Sequence, residues 1–330
     1  MKIFVTGATG FIGANLVKNL ADKGHIVHAL IRSETKAEQL KHKNVVFCKG
    51  DISDTKSIEN AMIGCDYVYH AAAFAQVWDK DPNTFHRLNV DATDEICRIA
   101  LQLQVKKMVY VSTAGVLGSS IKETVTETIE RSIDYFTEYE STKALSEERV
   151  KAWVAKGLDV VIVNPTRVYG PGELSKSNSV TIMIDKYIKG KWHVNPGDGA
   201  SVGNYVFVMD VVEGMQLAME KGVAGERYIL GGENVSYTEF FAKLASVWGR
   251  KCWLVKLPTP IMLVAANSIM LGTKLFGIKP LITPAWAKRF LYHWLVSSKK
   301  AEVQLGYKIT SLEQGMKTTI DWLLLNHRKN

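Results

Sequence analysis

The sequence has few cysteines and no hydrophobic segment long enough to cross a membrane. Its 330 residues include only Cys48, Cys65, Cys97 and Cys252, and no two of them form a C-x-x-C pair. This spacing suggests neither a zinc site nor a disulfide framework, and it fits a reducing compartment. The apolar run over residues 261–271 is too short for a membrane span.

The amino terminus has no apolar segment before its first glycine-rich turn. That turn begins at Gly7, which leaves no room for a secretory signal peptide. Together with the cysteine pattern, this feature predicts a cytoplasmic protein.

Positive charge is concentrated near the carboxyl terminus. The formal net charge is +8, but residues 250–330 hold 13 Lys and Arg against three Asp and Glu, a net +10, so residues 1–249 carry −2. A basic segment that is also apolar predicts peripheral contact with an anionic membrane, or a substrate that bears phosphate, carboxylate or coenzyme A. Nucleic-acid binding is not expected, because no recognition motif accompanies the charge.

Short apolar runs alternate with longer amphipathic stretches over the first 165 residues. This alternation predicts an α/β fold of the Rossmann type, with a doubly wound parallel sheet and right-handed crossovers. The predicted strands are 2–6, 25–31, 45–48, 67–70, 107–112 and 159–163, and the predicted helices are 12–22, 54–63, 82–104 and 138–156.

Turn-forming residues become frequent after Pro165, which indicates a second, smaller region. A strand at 205–208, a helix at 211–218 and a strand at 227–230 are expected to return to the sheet. We therefore predict an NADP-binding domain over 1–168 and 205–232, and a substrate-binding region over 169–204 and 233–330.

A glycine triplet, Gly7, Gly10 and Gly13, joins the first strand to the first helix. Glycine permits the sharp turn, the close approach of backbone N–H groups to a pyrophosphate, and tight packing of the helix on the sheet. In this strand-to-helix context the spacing predicts a dinucleotide site at the helix amino terminus.

The end of the second strand indicates which dinucleotide is preferred. NAD-binding proteins place an acidic residue there to bond the ribose, but here the strand ends with Arg32 and no acid precedes Glu34. Arg32, assisted by Lys36, would meet a 2′-phosphate. We therefore expect NADP(H), with NAD less favoured.

Tyr139 and Lys143 are four residues apart and therefore share one helix face. A nearby cation lowers the pKa of a phenol, so this pair can transfer protons, while the hydroxyl of Thr113 would hold a substrate oxygen. Tyr187 and Lys191 have the same spacing, but Gly190 and their place outside the sheet region indicate a decoy.

These motifs occur together with Gly50-Asp-Ile52, His70-Ala-Ala-Ala73 and Arg167-Val-Tyr-Gly-Pro-Gly172. The combination resembles the extended short-chain dehydrogenase/reductase superfamily over essentially the whole chain. The resemblance implies a catalytic triad of Thr113, Tyr139 and Lys143, and a homodimer formed through the helices 82–104 and 138–156.

The resemblance also implies which residues contact the cofactor. Asp51 and Ile52 would contact the adenine, and Asn89 would brace the backbone of the active site. No metal site is expected. The full set of implied cofactor-binding residues is Gly7, Thr9, Gly10, Phe11, Ile12, Gly13, Arg32, Lys36, Asp51, Ile52, Ala71, Ala72, Ala73, Tyr139, Lys143, Pro165, Thr166 and Val168.

Departures from the superfamily pattern narrow the expected reaction. Residues 113–115 read Thr-Ala-Gly where similar sugar-nucleotide dehydratases carry Thr-Asp-Glu, and Arg167 and Gly203-Asn204 replace residues that grip a nucleotide diphosphate. The branch with dihydroflavonol reductases and 3β-hydroxysteroid dehydrogenases fits better. It implies NADPH-dependent reduction of a ketone or aldehyde on a hydrophobic or amphipathic molecule.

The carboxyl-terminal tract 257–275 and the aromatic residues Trp286, Phe290, Tyr292 and Trp294 would suit a bulky apolar substrate, or they could form only the core of the small region. Two other functions stay open. A sugar or nucleotide-sugar epimerase would use the same bound NAD(P) without net turnover of cofactor. A non-catalytic sensor commonly loses the Tyr or the Lys, and this chain has both.

Overall fold

The central layer of the protein is a parallel sheet of seven strands. The computed structural model describes residues 1–76, 78–121, 123–276, 280 and 283–327. The strands are β1 Lys2–Thr6, β2 Ile26–Ile31, β3 Val45–Lys49, β4 Tyr67–His70, β5 Lys107–Val111, β6 Val160–Pro165, β7 Arg167–Tyr169, β8 Val194–Pro196, β9 Val202–Phe207, β10 Arg227–Leu230, β11 Glu233–Ser236 and β12 Val255–Leu257.

Spatially, the sheet runs in the order β10-β6-β5-β4-β1-β2-β3. Every neighbouring pair is parallel, as between β1 and β4, where Ile3 lies opposite Tyr67. All six residues of β6 are buried, as expected for a strand covered on both faces. The predicted Rossmann-type α/β fold is confirmed.

Helices cover both faces of this sheet. They are α1 Phe11–Asp22, α2 Glu34–Ala37, α3 Thr55–Met62, α4 Asn83–His86, α5 Ala92–Gln102, α6 Glu138–Val154, α7 Ser179–Ile188, α8 Val208–Lys221, α9 Tyr237–Trp248, α10 Thr259–Phe276, α11 Pro284–Lys288, α12 Lys299–Leu305 and α13 Leu312–His327. One apolar layer contains residues of α1, α8 and α12, and the other contains residues of α3, α5 and α6. No helix among the described residues is both long and apolar enough to cross a membrane.

The six strands predicted in the first half are all present, with ends that differ by no more than two residues. The predicted helix 82–104 is interrupted by a π-helical segment, Arg87–Asp91, between α4 and α5. In the segment expected to return to the sheet, β10 pairs with β6, and α8, which contains the helix predicted at 211–218, packs on one face of the sheet. The strand expected at 205–208 is β9, and it pairs with β7 and β11 in a separate three-stranded sheet.

The smaller region has an aromatic core between this three-stranded sheet and the helices α7, α9 and α13. Its fully or nearly fully buried members include Tyr169, Tyr187, Tyr205 and Phe240. Because only Thr166 separates the end of β6 from the start of β7, the chain passes directly from the carboxyl edge of the main sheet into this region. That edge is where ligands bind in open parallel sheets.

Candidate active site

The turn after β1 leaves no space for side chains at its glycines. Gly7 has a φ of +68°, and a Cβ there would lie 2.7 Å from the backbone of Ala71 and Ala72. A Cβ on Gly13 would lie 2.1 Å from the carbonyl oxygen of Gly7. Gly10 precedes α1 without any side-chain cap, so the first N–H groups of that helix stay available to an anion. The turn therefore fits the pyrophosphate of a dinucleotide.

Arg32 lies just beyond β2 and points away from the core. Its side chain is 77% exposed, and its Nη1 is 3.6 Å from Oδ2 of Asp51. Burial raises the pKa of Asp51, but hydrogen bonds from Ser53 and the charge of Arg32 outweigh that effect and lower it overall. Lys36 is also exposed, with its Nζ 4.0 Å from Glu173. Both cations predicted to meet a 2′-phosphate are thus exposed to solvent beyond the second strand.

Other predicted cofactor contacts border the same cleft. Phe11 is buried beneath Gly172, where a Cβ would lie 2.7 Å from its ring. Thr166 donates to Oδ1 of Asn204 at 2.7 Å. The remaining predicted residues lie in the glycine turn (Thr9), in the first turn of α1 (Ile12), after β3 (Ile52), in the loop after β4 (Ala73), at the end of β6 (Pro165) and in β7 (Val168).

The loop after β5 meets the start of α6. Thr113 caps a short 3-10 turn, and its Oγ1 accepts a hydrogen bond from the N–H of Gly115 at 3.1 Å. A Cβ on Gly115 would lie 3.4 Å from this Oγ1 and 3.3 Å from Cγ of Glu140. Glu140 directly follows Tyr139, so the structure brings Thr113 close to the turn of α6 that carries the predicted proton donor.

Lys143 lies one helical turn beyond Tyr139 and is almost completely buried. Its Nζ donates to the hydroxyl of Tyr110 at 2.6 Å and to the carbonyl of Val111 at 2.8 Å. Burial lowers the pKa of Lys143 to about 7, although the charge of Glu147 opposes the shift.

The pKa of Tyr139 does not follow the expectation from the sequence. Burial raises it to about 12, and the cation that opposes this rise is Arg289, while Glu140 adds to it. Lys143 does not lower the pKa of Tyr139 as the sequence predicted, because Lys143 Nζ donates its hydrogen bond to the hydroxyl of Tyr110. Tyr139 is therefore fully protonated at neutral pH.

A buried polar chain lies behind these groups. His70 Nδ1 is 2.6 Å from Oγ1 of Thr6, and its Nε2 is 3.0 Å from Oγ1 of Thr93. Burial lowers the pKa of His70 to about 3, so its ring is neutral. Because the Thr6 hydroxyl also accepts the N–H of Ala72 at 3.2 Å, this chain fixes the ends of β1 and β4 that face the glycine turn.

Asn89 occupies the π-helical segment and joins two walls of the site. Its Oδ1 accepts the N–H of Phe74 at 2.7 Å, and its Nδ2 donates to Oγ1 of Thr142 at 3.0 Å. Its main-chain oxygen accepts from Ser146 at 2.7 Å. π-Helical segments often occur at functional sites, and this one connects the loop after β4 to α6.

A buried cluster of charges beside Tyr139 was not predicted from the sequence. Glu140 is fully buried, and its carboxylate pairs with Arg131 at 3.1 Å and with Arg289. It also accepts the N–H of Phe136 at 3.0 Å. The position of Glu140 next to Tyr139 was the only hint in the sequence of its role. The ion pair with Arg289 could not be predicted, because Arg289 is 149 residues away in the chain.

Aromatic side chains from the carboxyl-terminal segment form a wall over the start of α6. Phe136 lies 5.2 Å from Tyr292 and 5.8 Å from Trp294, between ring centroids. Phe290 lies 5.0 Å from Trp286, and it is also 5.6 Å from Tyr237. Of the four aromatic residues predicted for the substrate side, Tyr292 and Trp294 thus lie beside the start of α6. Phe290 also packs against the core of the smaller region, so the alternative of a core role stays open for part of this set.

The second Tyr and Lys pair lies elsewhere. Tyr187 is buried in the core of the smaller region, where its hydroxyl accepts the N–H of Cys252 at 3.1 Å. Burial raises its pKa. Its role is packing, in agreement with its interpretation as a decoy.

Comparison with known proteins places this site in a family. Residues 3–231 match the model of the NAD dependent epimerase/dehydratase family. The chain therefore belongs to that family, within the extended short-chain dehydrogenase/reductases, and it is an oxidoreductase of that type.

Individual relatives span nearly the whole chain. Sterol demethylase protein B of Methylococcus capsulatus is 31% identical, covering 98% of each protein. A 4-hydroxy-2-methyl-3-oxo-4-farnesyl-3,4-dihydroquinoline-1-oxide ketoreductase of Stigmatella aurantiaca is 30% identical, over 93% of this chain and 92% of the relative. A UDP-glucose 4-epimerase of Thermotoga maritima, solved with UDP-glucose, is 25% identical with a TM-score of 0.83, over 99% of this chain and 100% of that one.

Proposed function

We propose that the protein is an NADP(H)-dependent oxidoreductase that interconverts a ketone or aldehyde and the corresponding alcohol on a hydrophobic or amphipathic small molecule. The observation that carries the proposal is the position of Tyr139 and Lys143 on one face of α6, beside Thr113 and the glycine turn. The relatives named as a ketoreductase and a sterol demethylase protein support a carbonyl or alcohol substrate of this kind.

Each residue of the triad has a distinct part in the proposed reaction. When bound, the nicotinamide supplies a hydride to the carbonyl carbon or accepts one from the alcohol carbon. Thr113 holds the substrate oxygen by a hydrogen bond, and Tyr139 gives that oxygen its proton during reduction, because its phenol is protonated at neutral pH. Lys143, whose pKa burial lowers to about 7, brings a buried amino group to the same end of α6.

An epimerase acting on a sugar or nucleotide sugar is the alternative, and the fold of the Thermotoga maritima epimerase supports it. The two functions differ in their use of cofactor. A reductase consumes NADPH in proportion to added carbonyl compound, whereas an epimerase produces no net change in NADPH absorbance. The aromatic wall favours the reductase, since apolar rings suit a hydrophobic substrate better than a nucleotide diphosphate.

Removing the proposed proton donor tests this function. Tyr139→Phe is expected to lower kcat about 10²- to 10⁴-fold, the usual contribution of a general acid, without changing NADPH affinity. The assay is NADPH oxidation with a panel of steroids, flavonoids, β-keto esters and aryl ketones. Tyr135→Phe makes the same change at a residue that is 43% exposed, so it serves as the matched control. Full activity of the Tyr139 variant, or turnover of nucleotide sugars alone, would contradict the proposal.

The proposed preference for NADP rests on Arg32. Replacing it with Asp removes a cation and adds a charge that repels a 2′-phosphate, so the ratio of NADP to NAD affinity is expected to fall at least about 10-fold. Arg149→Asp, at an exposed position of α6, controls for the change in net charge. An unchanged ratio in the Arg32 variant would remove the basis for the preference.

We further propose that α10 rests on an anionic membrane surface. This helix has no charged residue between positions 259 and 273, yet Val264 is 67% and Leu271 59% exposed, and nearby Trp253 is 77% exposed. Arg250 and Lys251 are exposed residues that precede α10 in the chain, and we propose that they face acidic head groups.

Flotation with vesicles tests the membrane contact. The full chain is expected to float with phosphatidylserine-containing vesicles and not with phosphatidylcholine alone, and to be released as salt screens the attraction. Trp253→Ser combined with Val264→Ser is expected to abolish flotation, whereas Val303→Ser, at a site 69% exposed on α12, should not. No flotation of the unchanged chain, or equal flotation of all variants, would overturn this proposal.

A further inference from the structure

A partly buried arginine on the proposed substrate side of the site has no acidic partner among the residues that the structure describes. Arg167 is the first residue of β7, directly after the carboxyl end of β6. Its Nη1 donates to the hydroxyls of Tyr205 at 3.2 Å and Tyr237 at 2.9 Å. Gly203 makes room for the guanidinium, because a Cβ there would lie 2.4 Å from Nη1. Two tyrosine hydroxyls and the space beside Gly203 thus hold the Arg167 guanidinium in place.

Among the described residues, the Arg167 guanidinium makes its hydrogen bonds through only one of its three nitrogens. Both of its hydrogen bonds use Nη1, and within the part of the chain that the structure describes, Nε and Nη2 have no hydrogen-bond partner and no carboxylate pairs with the group. Nε and Nη2 form the planar pair of donors that binds the two oxygens of a carboxylate. A partly buried cation without a counter-charge is costly, which favours an external anion at this edge.

The neighbouring charges do not neutralise Arg167. Glu140 is the acidic member of the cluster, and it already pairs with Arg131 and Arg289. Burial lowers the pKa of Arg289, and the charge of Glu140 opposes that effect. The charge of Arg167 lowers the pKa of Arg289 further, so the guanidinium groups of Arg167 and Arg289 are close enough to repel each other. Arg289 in turn acts on the phenol of Tyr139. The excess positive charge therefore lies on the same side as the proposed proton donor.

We propose that the free edge of Arg167 binds a carboxylate of the substrate, which makes the substrate a hydrophobic hydroxy acid and its oxo acid. This inference rests on the proposed interconversion of alcohol and carbonyl. In the oxidative direction, the Tyr139 phenol first releases its proton to solvent; the alcohol hydroxyl then gives its proton to the resulting phenolate while the alcohol carbon gives a hydride to NADP⁺. The products are the oxo acid, NADPH and one proton released to solvent, while the carboxylate on Arg167 is unchanged.

Binding of unreactive probes tests the site without any turnover. Phenylbutyrate and phenylbutanamide have nearly the same shape but differ in charge, and their affinities are measured by calorimetry in the presence of NADP⁺. The acid is expected to bind at least about 10-fold more tightly than the amide, because hydrogen bonds to charged groups contribute about 1.5–3 kcal/mol, or about 10- to 150-fold. Equal binding of the two probes by the unchanged chain would overturn the proposal.

Variants show whether the preference comes from this arginine. Arg167→Gln is expected to abolish the preference for the acid and leave amide binding unchanged, and Arg167→Lys is expected to keep only part of it, since the planar fork is lost. Arg149→Gln, at an exposed position, should change nothing. Phenylpropyl phosphate is the further probe, and tighter binding of this phosphate than of the acid would contradict a carboxylate site.

Turnover separates this inference from the proposed function. With NADP⁺, a β-hydroxy-phenylpentanoate is expected to be oxidised with a lower KM than its amide, and Arg167→Gln should raise the KM for the acid alone. If the acid and the amide are oxidised equally well, the carboxylate site is wrong and the oxidoreductase stands. If the acid binds through Arg167 and Tyr139→Phe has no effect on any reaction, the anion site stands and the proposed chemistry is wrong.

Discussion

Replacing Glu140 with Gln should destabilise the protein strongly, because this carboxylate is the shared counter-charge of two arginines. Glu140 is fully buried, and the side chains of Arg131 and Arg289 are only 9% and 23% exposed. Gln can still accept the N–H of Phe136, but it removes the negative charge and points an amide at two cations. The variant therefore leaves two partly buried positive charges without compensation.

The size of the effect follows from this burial. Removing one partner of a buried ion pair costs about 3–5 kcal/mol. Arg289 can gain some hydration and Arg131 keeps its backbone acceptors, so we expect the lower end, about 3 kcal/mol. With a urea slope of about 3 kcal/mol/M, the unfolding midpoint falls by about 1 M.

Urea unfolding followed by circular dichroism measures this loss. Glu38→Gln is the matched control, because Glu38 pairs with Lys41 at 2.6 Å on the surface, where the two side chains are 57% and 64% exposed. Surface pairs contribute about 0–1 kcal/mol, so the control should shift the midpoint little. Similar small shifts in both variants would refute the reasoning and show that Glu140 does not balance the charge of Arg131 and Arg289.

Three further changes test other parts of the site. Gly13→Ala should weaken cofactor binding at least about 10-fold by calorimetry, because its Cβ would lie 2.1 Å from the oxygen of Gly7; unchanged affinity would contradict the tight turn. Lys143→Met should increase the free energy of unfolding most near pH 7, and this increase should shrink towards pH 10. The reason is that burial lowers the pKa of Lys143 to about 7 in the folded protein, so between pH 7 and 10 Lys143 holds its proton in the unfolded chain and has lost it in the folded one. A gain that does not vary with pH would contradict a buried lysine. Asn89→Ala leaves the N–H of Phe74 without its acceptor and should cost about 1–3 kcal/mol in urea unfolding; an unchanged unfolding midpoint would contradict the contribution of this contact.

The main sheet could be predicted from the sequence because its strands are short, continuous apolar runs. β1 and β4 begin and end at the predicted residues. A strand that is buried on both faces needs apolar residues at nearly every position, so it appears in the sequence as a continuous apolar run. The pairing of β9 could not be predicted, because its apolar residues would fit either sheet. Its partners β7 and β11 are set by the tertiary fold, as is the π-helical segment at Arg87–Asp91.

The site was predictable where its chemistry follows the spacing of neighbouring residues. The pair Tyr139 and Lys143 needs only a helix to share a face, and the glycine turn needs only a strand and a helix around it. The side-chain direction of Lys143 towards Tyr110 depends on contacts between β5 and α6 that no local pattern encodes. The role of Glu140 could not be predicted from a local pattern either, because it depends on an ion pair with Arg289, which lies far away in the sequence.

The basic carboxyl-terminal segment packs beside the proposed active site as well as contributing to the surface. Bridges from Ser120 to His293 and from Val125 to Val296 attach it to the loop that follows β5. This attachment carries the aromatic wall and Arg289 to the start of α6, beside Tyr139. The cofactor half can therefore keep its glycine turn and its Tyr–Lys pair while the proposed substrate recognition changes through residues after position 283 and through Arg167. For this reason, the anion preference of the site should respond to substitutions in that segment more than to any change in the first 100 residues.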